Sequence, residues 1–268
     1  MSGRDLFATS LMNLDWLGPA GGHNNDRVPG FHSIPPQVRV GSTTDIAAHD
    51  DASHLNGDVI TIPAREAVLG ACRSYVDRMD ALHKLFHLPR LCSQVHQLFD
   101  DIEHQQNFRP GQMTLVLAIL ASRAAHWCWA GTDMNSFFKS ASAAHSFALY
   151  WLKATLDFLD YCRRSERTVL EMIQANILVT FLIYHMETFS PIVRNLHVAS
   201  VCAAKDIGLH MVDSPSRLMS NPTRDQIVER EIRRRVWWHI CSTDWNVSLC
   251  GGKDDATYAI YPRHMQPP

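Results

Sequence analysis

Four side chains between positions 83 and 96 have the types and spacing to hold a metal ion. His83 and His87 stand one helical turn apart, as do Cys92 and His96, and borderline metals accept imidazole nitrogen and thiolate sulfur together. Two such turns on successive helices would converge on one ion. Histidine is frequent throughout the chain, with 15 copies, so chance clustering accounts for the group and no metal is assigned to it.

A second constellation, His239, Cys241 and Asp244, has the residue types of a thiol protease. All three share one helical stretch, which cannot aim a nucleophile, a base and an orienting group at one point. Asp244 falls instead on the apolar stripe of that stretch, where an unpaired carboxylate is costly. It is expected to be a structural anchor, hydrogen-bonded to backbone or to an arginine. Arg233, Arg234 and Arg235 carry the charge to touch phosphate, but Glu229 and Glu231 stand one turn before Arg233 and Arg235 and neutralise the run. Trp237 and Trp238 have the look of an aromatic platform, yet helix neighbours point to different sides, and Trp237 is expected in the core. The sequence has no glycine-rich phosphate loop, no G-x-S-x-G elbow and no H-E-x-x-H pair. No catalytic residue is assigned, and the chain is read as not an enzyme.

These residues need helices to position them. Thr223 and Gln226 form a capping-box pattern, in which each side chain satisfies a backbone N–H left open at a helix start. The helix they open is charged first and apolar later. Val236, Ile240 and Val247 form one row, Trp237, Cys241, Trp245 and Leu249 the next, and Gly251 with Gly252 stops it. Upstream, three- and four-residue spacing predicts helices from Pro63 through Leu82, from about Pro89 to Asp100, over 113–130, over about 135–163, and from Ser165 to the residue before Pro191. A further helix rich in small residues ends at Gly208, which supplies the left-handed conformation at a helix C-terminus.

With no internal repeat and no useful β-alternation, the fold class is all-α. A multi-helix domain is expected over 58–268, behind a disordered leader over 1–57 dominated by Gly, Pro, His, Asp and Asn. Within the leader, Leu6, Phe7, Leu11, Leu14 and Trp16 lie among acidic residues. They form either a short helix packed on its own domain or a segment that folds on a partner.

The bulk composition excludes several classes. Apolar residues make up 46% and charged residues 19%, with a net charge of −2, so no clustered basic surface for nucleic acid is advertised. Seven dispersed cysteines, with no C-x-x-C pair, argue for reduced thiols in the nucleus or cytosol. The N-terminus does not read as a signal peptide, and the longest apolar runs are interrupted by Arg123 and His126 or by Tyr184, His185 and Glu187, so no membrane role is expected.

The run E-x-R-R-R-x-W-W, followed by Asp244 and then Gly251, resembles the signature helix of the fungal-specific transcription factor regulatory domain, the middle homology region of six-cysteine zinc-cluster regulators. Glu231, Arg233, Arg234, Arg235, Trp237, Trp238, Asp244 and Gly251 carry the likeness. The turn Gly208, Leu209, His210 after Ala199, Ala203 and Ala204 is similar to the same family's alanine-rich helix and Gly-Leu-His turn. Tyr75, Leu85, His87 and Pro89 are similar to its opening helix pair.

The resemblance implies a nuclear regulatory module that works with the transcription machinery or a full-length regulator, and a small-molecule effector held in the helical core. The wall expected for that effector is the set of helices carrying Trp151, Phe181, His210 and Trp237. The family's zinc cluster needs six thiolates in a compact array beginning with C-x-x-C. No direct DNA contact is therefore expected from this chain, and zinc is a cofactor only if a six-cysteine module precedes Met1. The domain is expected to be C-terminally incomplete, since the family continues with further helices. Two other readings stay open: a truncated non-DNA-binding partner of full-length regulators, and a helical metal-dependent enzyme built from distant His and Asp residues.

Overall fold

The computed structural model describes residues 36–42, 52, 55, 59–130, 138–165, 167–217, 220–250 and 258–261. In order these form β1 (Gln37–Val40), β2 (Val59–Ile62), α1 (Arg65–Arg78), α2 (Asp80–His83), α3 (Leu88–Glu103), α4 (Pro110–Ala130), α5 (Ala141–Ser165), α6 (Leu170–Glu187), α7 (Pro191–Asp206), two 3₁₀ turns at Leu209–Met211 and Pro215–Arg217, and α8 (Arg224–Cys250).

Two stretches are apolar all the way round, and both become central helices. In α4 every residue from Met113 to Ser122 is buried, and in α6 so is every residue from Met172 to Thr180. Helices α5 and α6 pack on α4, α7 packs on α6, and α8 packs on α7 and α6. Gly111 lets the start of α4 approach the start of α6, since a Cβ there would stand 2.6 Å from Val169 Cγ2.

The expected all-α architecture is present, with one addition. β1 and β2 pair in parallel, Gln37 opposite Val59 through Val40 opposite Ile62. The pair is fastened to α5: Tyr150 Oη accepts the Thr61 N–H at 2.8 Å, and Trp151 Nε1 donates to the Thr61 carbonyl at 3.1 Å. Four-residue strands are too short to alternate visibly, so β-branched Val59, Ile60 and Ile62 were their only trace. β1 falls inside the stretch expected as a leader; Leu6, Phe7, Leu11, Leu14 and Trp16 lie outside the described residues.

Several expected bounds and one expected burial differ from the periodicity: the helix expected from Pro63 through Leu82 is divided into α1 and α2 at Met79, and the helix expected from about 135 begins at Ala141. Ser165 ends α5 rather than opening α6, because Arg163 and Arg164 suit a helix C-terminus and the next helix begins at Leu170. Leu249, placed on the apolar row of α8, is 76% exposed, on the outer side of the helix's last turn. The capping box forms as its spacing requires: Thr223 N donates to Gln226 Oε1 at 2.8 Å, and Gln226 N donates to Thr223 Oγ1 at 3.3 Å. Gly251 and Gly252 lie outside the described residues.

Candidate functional site

A cavity of about 520 Å³ opens where α6, α7 and α8 meet the turn that ends α2. Its floor is buried: His83, Ile177, Thr180, Val193, His197, Ser200 and Ile240. Tyr184, Phe189, Ser242 and Asn246 form an exposed rim.

Hydrogen bonds position the polar residues His83, His197 and Ser200 of the floor. The turn carrying His83 is held by Asp80, whose carboxylate accepts the Leu85 N–H at 2.8 Å and the Phe86 N–H at 3.4 Å, and Lys84 adopts a left-handed conformation at φ 54°. Gln174 of α6 donates to the Leu85 carbonyl at 2.7 Å, pinning the same turn from the other side. Asn176 joins α6 to α7 by donating to the Leu196 carbonyl and to Ser200 Oγ, both at 2.6 Å. His197 of α7 is held by Asp244 of α8, Nε2 to Oδ1 at 3.3 Å.

Three imidazoles line this space without charge at neutral pH. Burial lowers the His83 pKa to about 4, with the neighbouring His239 and His185 adding to the effect. His239 is lowered to about 4 by burial and by His197. Burial also lowers His197, although the Asp244 carboxylate acts in the opposite direction. His83 packs edge-on against Phe181 and His239, with ring centroids 4.4 and 5.1 Å away. Its Nδ1 lies 3.4 Å from the Tyr75 hydroxyl, while its buried Nε2 has no hydrogen-bond partner among the described residues.

The four metal-like residues do not come together. His83 is on the cavity floor, whereas His87 and His96 are exposed and Cys92 is half-buried elsewhere on α3. Among the described residues no three His, Cys, Asp or Glu side chains are placed to hold a metal ion. His239 and Cys241 form no nucleophile and base pair either: burial pushes the Cys241 thiol up to about 12, leaving it protonated.

The described residues that carried the family likeness are engaged in contacts within the fold. Asp244 is 4% exposed and accepts the Ile260 N–H at 2.9 Å and the Ala259 N–H at 3.3 Å, besides its bond to His197. It is the expected anchor, to backbone and a histidine rather than an arginine. Arg233 bonds Glu229 at 2.6 Å and Arg235 bonds Glu231 at 2.8 Å, and Arg90 from α3 also reaches Glu229. Arg234 grips Glu231 and the nearly buried Asp213, so the arginine run is spent on carboxylates.

Trp237 is 3% exposed and lies 6.0 Å from the His210 ring, while Trp238 is half-buried against the core. Gly208 takes φ 71°, its carbonyl accepts from Arg217 at 3.0 Å, and Leu209 is fully buried. Of the elements expected to form the effector wall, α6 and α8, which carry Phe181 and Trp237, line the cavity, and of the four named side chains Phe181 alone does so. Trp151 is tied to β2, and His210 and Trp237 pack on each other outside the lining.

Sequence reasoning did not pick out His197, Thr180 or Ser200. The available signal was a polar residue on a buried helical row, since Val193, His197, Ser200 and Ala204 recur at helical spacing. In chemical terms the site offers hydrogen bonds and aromatic surface.

Comparison with known proteins places the chain beside fungal regulators. It is 32% identical over 209 residues to "Probable transcription factor lepB" of Aspergillus flavus, covering 77% of this chain and 37% of that protein. It is 29% identical over 207 residues to "Transcription factor TAS2" of Pyricularia oryzae, covering 76% and 26%. It is 25% identical over 207 residues to "Agnestins biosynthesis cluster transcription factor AgnL11" of Paecilomyces divaricatus, covering 76% and 29%. The chain thus spans between about a quarter and a little over a third of the length of these curated relatives. No protein-family model and no solved structure matches. What the relatives share is that they are named as transcription factors and come from fungi.

Proposed function

We propose that this chain acts in the regulation of DNA-templated transcription, as the regulatory module of a fungal-specific transcription factor. The observation that carries the reading is the 209-residue similarity at 32% identity to a protein named as a transcription factor. Helix α8, which carries the residues of the likeness, packs on α7 through the Asp244–His197 pair, and its Trp237 packs on His210 of the turn after α7.

In this reading the module, assigned to 58–268, works in the nucleus through protein partners, either the transcription machinery or a full-length regulator. These 268 residues contain no C-x-x-C pair, so sequence-specific DNA contact through a zinc cluster is assigned to a partner or another segment. No reaction is assigned to the module.

The test is a reporter assay with the full chain fused to a heterologous DNA-binding domain. The fusion is expected to raise or lower reporter transcription relative to the DNA-binding domain alone, and Asp244→Ala is expected to abolish the effect. A fusion that is expressed, folded and nuclear yet leaves the reporter unchanged would contradict the proposal.

A further inference from the structure

We propose that the cavity between α6, α7 and α8 is a binding site for an uncharged aromatic small molecule that carries a hydroxyl group. The inference is independent of the transcription reading, because it concerns binding by the purified protein.

The polar end of the site is His83. The residue is 5% exposed, it lines the cavity, and its Nε2 finds no partner among the described residues. A buried polar nitrogen left unpaired is costly, so a ligand that satisfies it gains affinity. With Nδ1 beside the Tyr75 hydroxyl, Nε2 is a donor in one tautomer and an acceptor in the other. A ligand hydroxyl serves both, since it donates and accepts.

Charge complementarity selects against ions. None of the lining residues is Asp, Glu, Lys or Arg, and a charged ligand would leave water without gaining a counter-charge. Besides the imidazoles of His197 and His239, the remaining polar groups are hydroxyls and the Asn246 amide.

Shape selects a flat apolar body. Phe181 stands edge-on to His83, and at the rim Tyr184 meets Phe189 at 4.9 Å between centroids. Offset and edge-to-face geometries of this kind receive an aromatic ring well. Thr188 holds Phe189 there with φ 63°, a strained value for a β-branched residue, and such strain gathers at ligand clamps. The volume, about 520 Å³, lies within the roughly 300–1,000 Å³ of small-molecule sites.

The experiment is isothermal titration calorimetry of the full chain with 2-naphthol, matched against naphthalene-2-sulfonate as the anionic counterpart. Wild-type protein is expected to take up 2-naphthol saturably at one site with Kd tighter than ~1 mM, and the sulfonate about tenfold more weakly or not at all. Replacing the hydrogen-bonding ring by His83→Phe is expected to weaken 2-naphthol about tenfold. Asn246→Trp, at an exposed rim position that leaves the core intact, is expected to block uptake, and it decides the matter if the His83 variant fails to fold by circular dichroism. The proposal is overturned by any of three results: no saturable uptake by folded wild-type protein, equal affinity for the sulfonate, or undiminished binding to Asn246→Trp.

Discussion

A carboxylate on a buried helical stripe has to find donors, and Asp244 finds three: His197 from α7 and the backbone N–H groups of Ala259 and Ile260. One side chain thereby ties α8 to α7 and to the segment that follows it. Asp244→Ala is expected to cost about 2–4 kcal/mol, because it strands buried donors, and Asp244→Asn less, because one acceptor oxygen survives; urea unfolding measures both.

The buried imidazoles set a pH dependence. His83 and His239 have folded pKa values near 4, well below the value of about 6.5 for an unperturbed histidine. Between the two values the unfolded chain binds more protons, so stability present in full above about pH 6.5 is lost as pH falls toward about 4. Melting temperature should therefore drop between about pH 7 and pH 5, and His83→Gln should flatten that slope. Asp244 as an anchor was legible from its place on the stripe. Its partners were not, because His197 lies 47 residues away in sequence and only the folded arrangement brings them together.

Helices were the most legible elements, since a continuous apolar period over many residues outweighs local noise. Their ends were less so. The capping box at Thr223 was readable because both partners lie within one turn. Ser165 misled because a serine between two apolar periods also fits the last turn of a basic-ended helix. The parallel β1–β2 pair was hidden for a different reason: its strands are short, and β2 is fastened by Tyr150 and Trp151 in α5, about 90 residues away.

Two substitutions test the element ends. Thr223→Ala should cost about 1 kcal/mol through the lost cap. Gly208→Ala should cost more than about 1 kcal/mol, since its φ of 71° is unfavourable for alanine and the added Cβ would stand 2.5 Å from Arg217. Chemical denaturation of both variants should place Gly208→Ala as the less stable.

For the whole molecule, the likeness to fungal regulators rested on short runs of letters, and among the described residues Gly208, Arg234 and Asp244 link α8, α7 and the intervening turns. Those runs were easy to see because ion pairs one helical turn apart and a glycine at a helix end are local patterns. The cavity was not visible in the same way, because its floor takes residues from α2, α6, α7 and α8 at once. Nor does the packing alone specify a role in gene control, since a fold hosts function only through its sites and partners.

The most direct measurement is transcript profiling in the host organism after deletion of the coding sequence, with re-expression of either the wild-type chain or the Asp244→Ala variant. A regulatory role predicts a defined set of genes that changes on deletion, is restored by the wild-type chain and is not restored by the variant. A transcriptome unaltered by deletion, under conditions in which the protein is expressed, would contradict it.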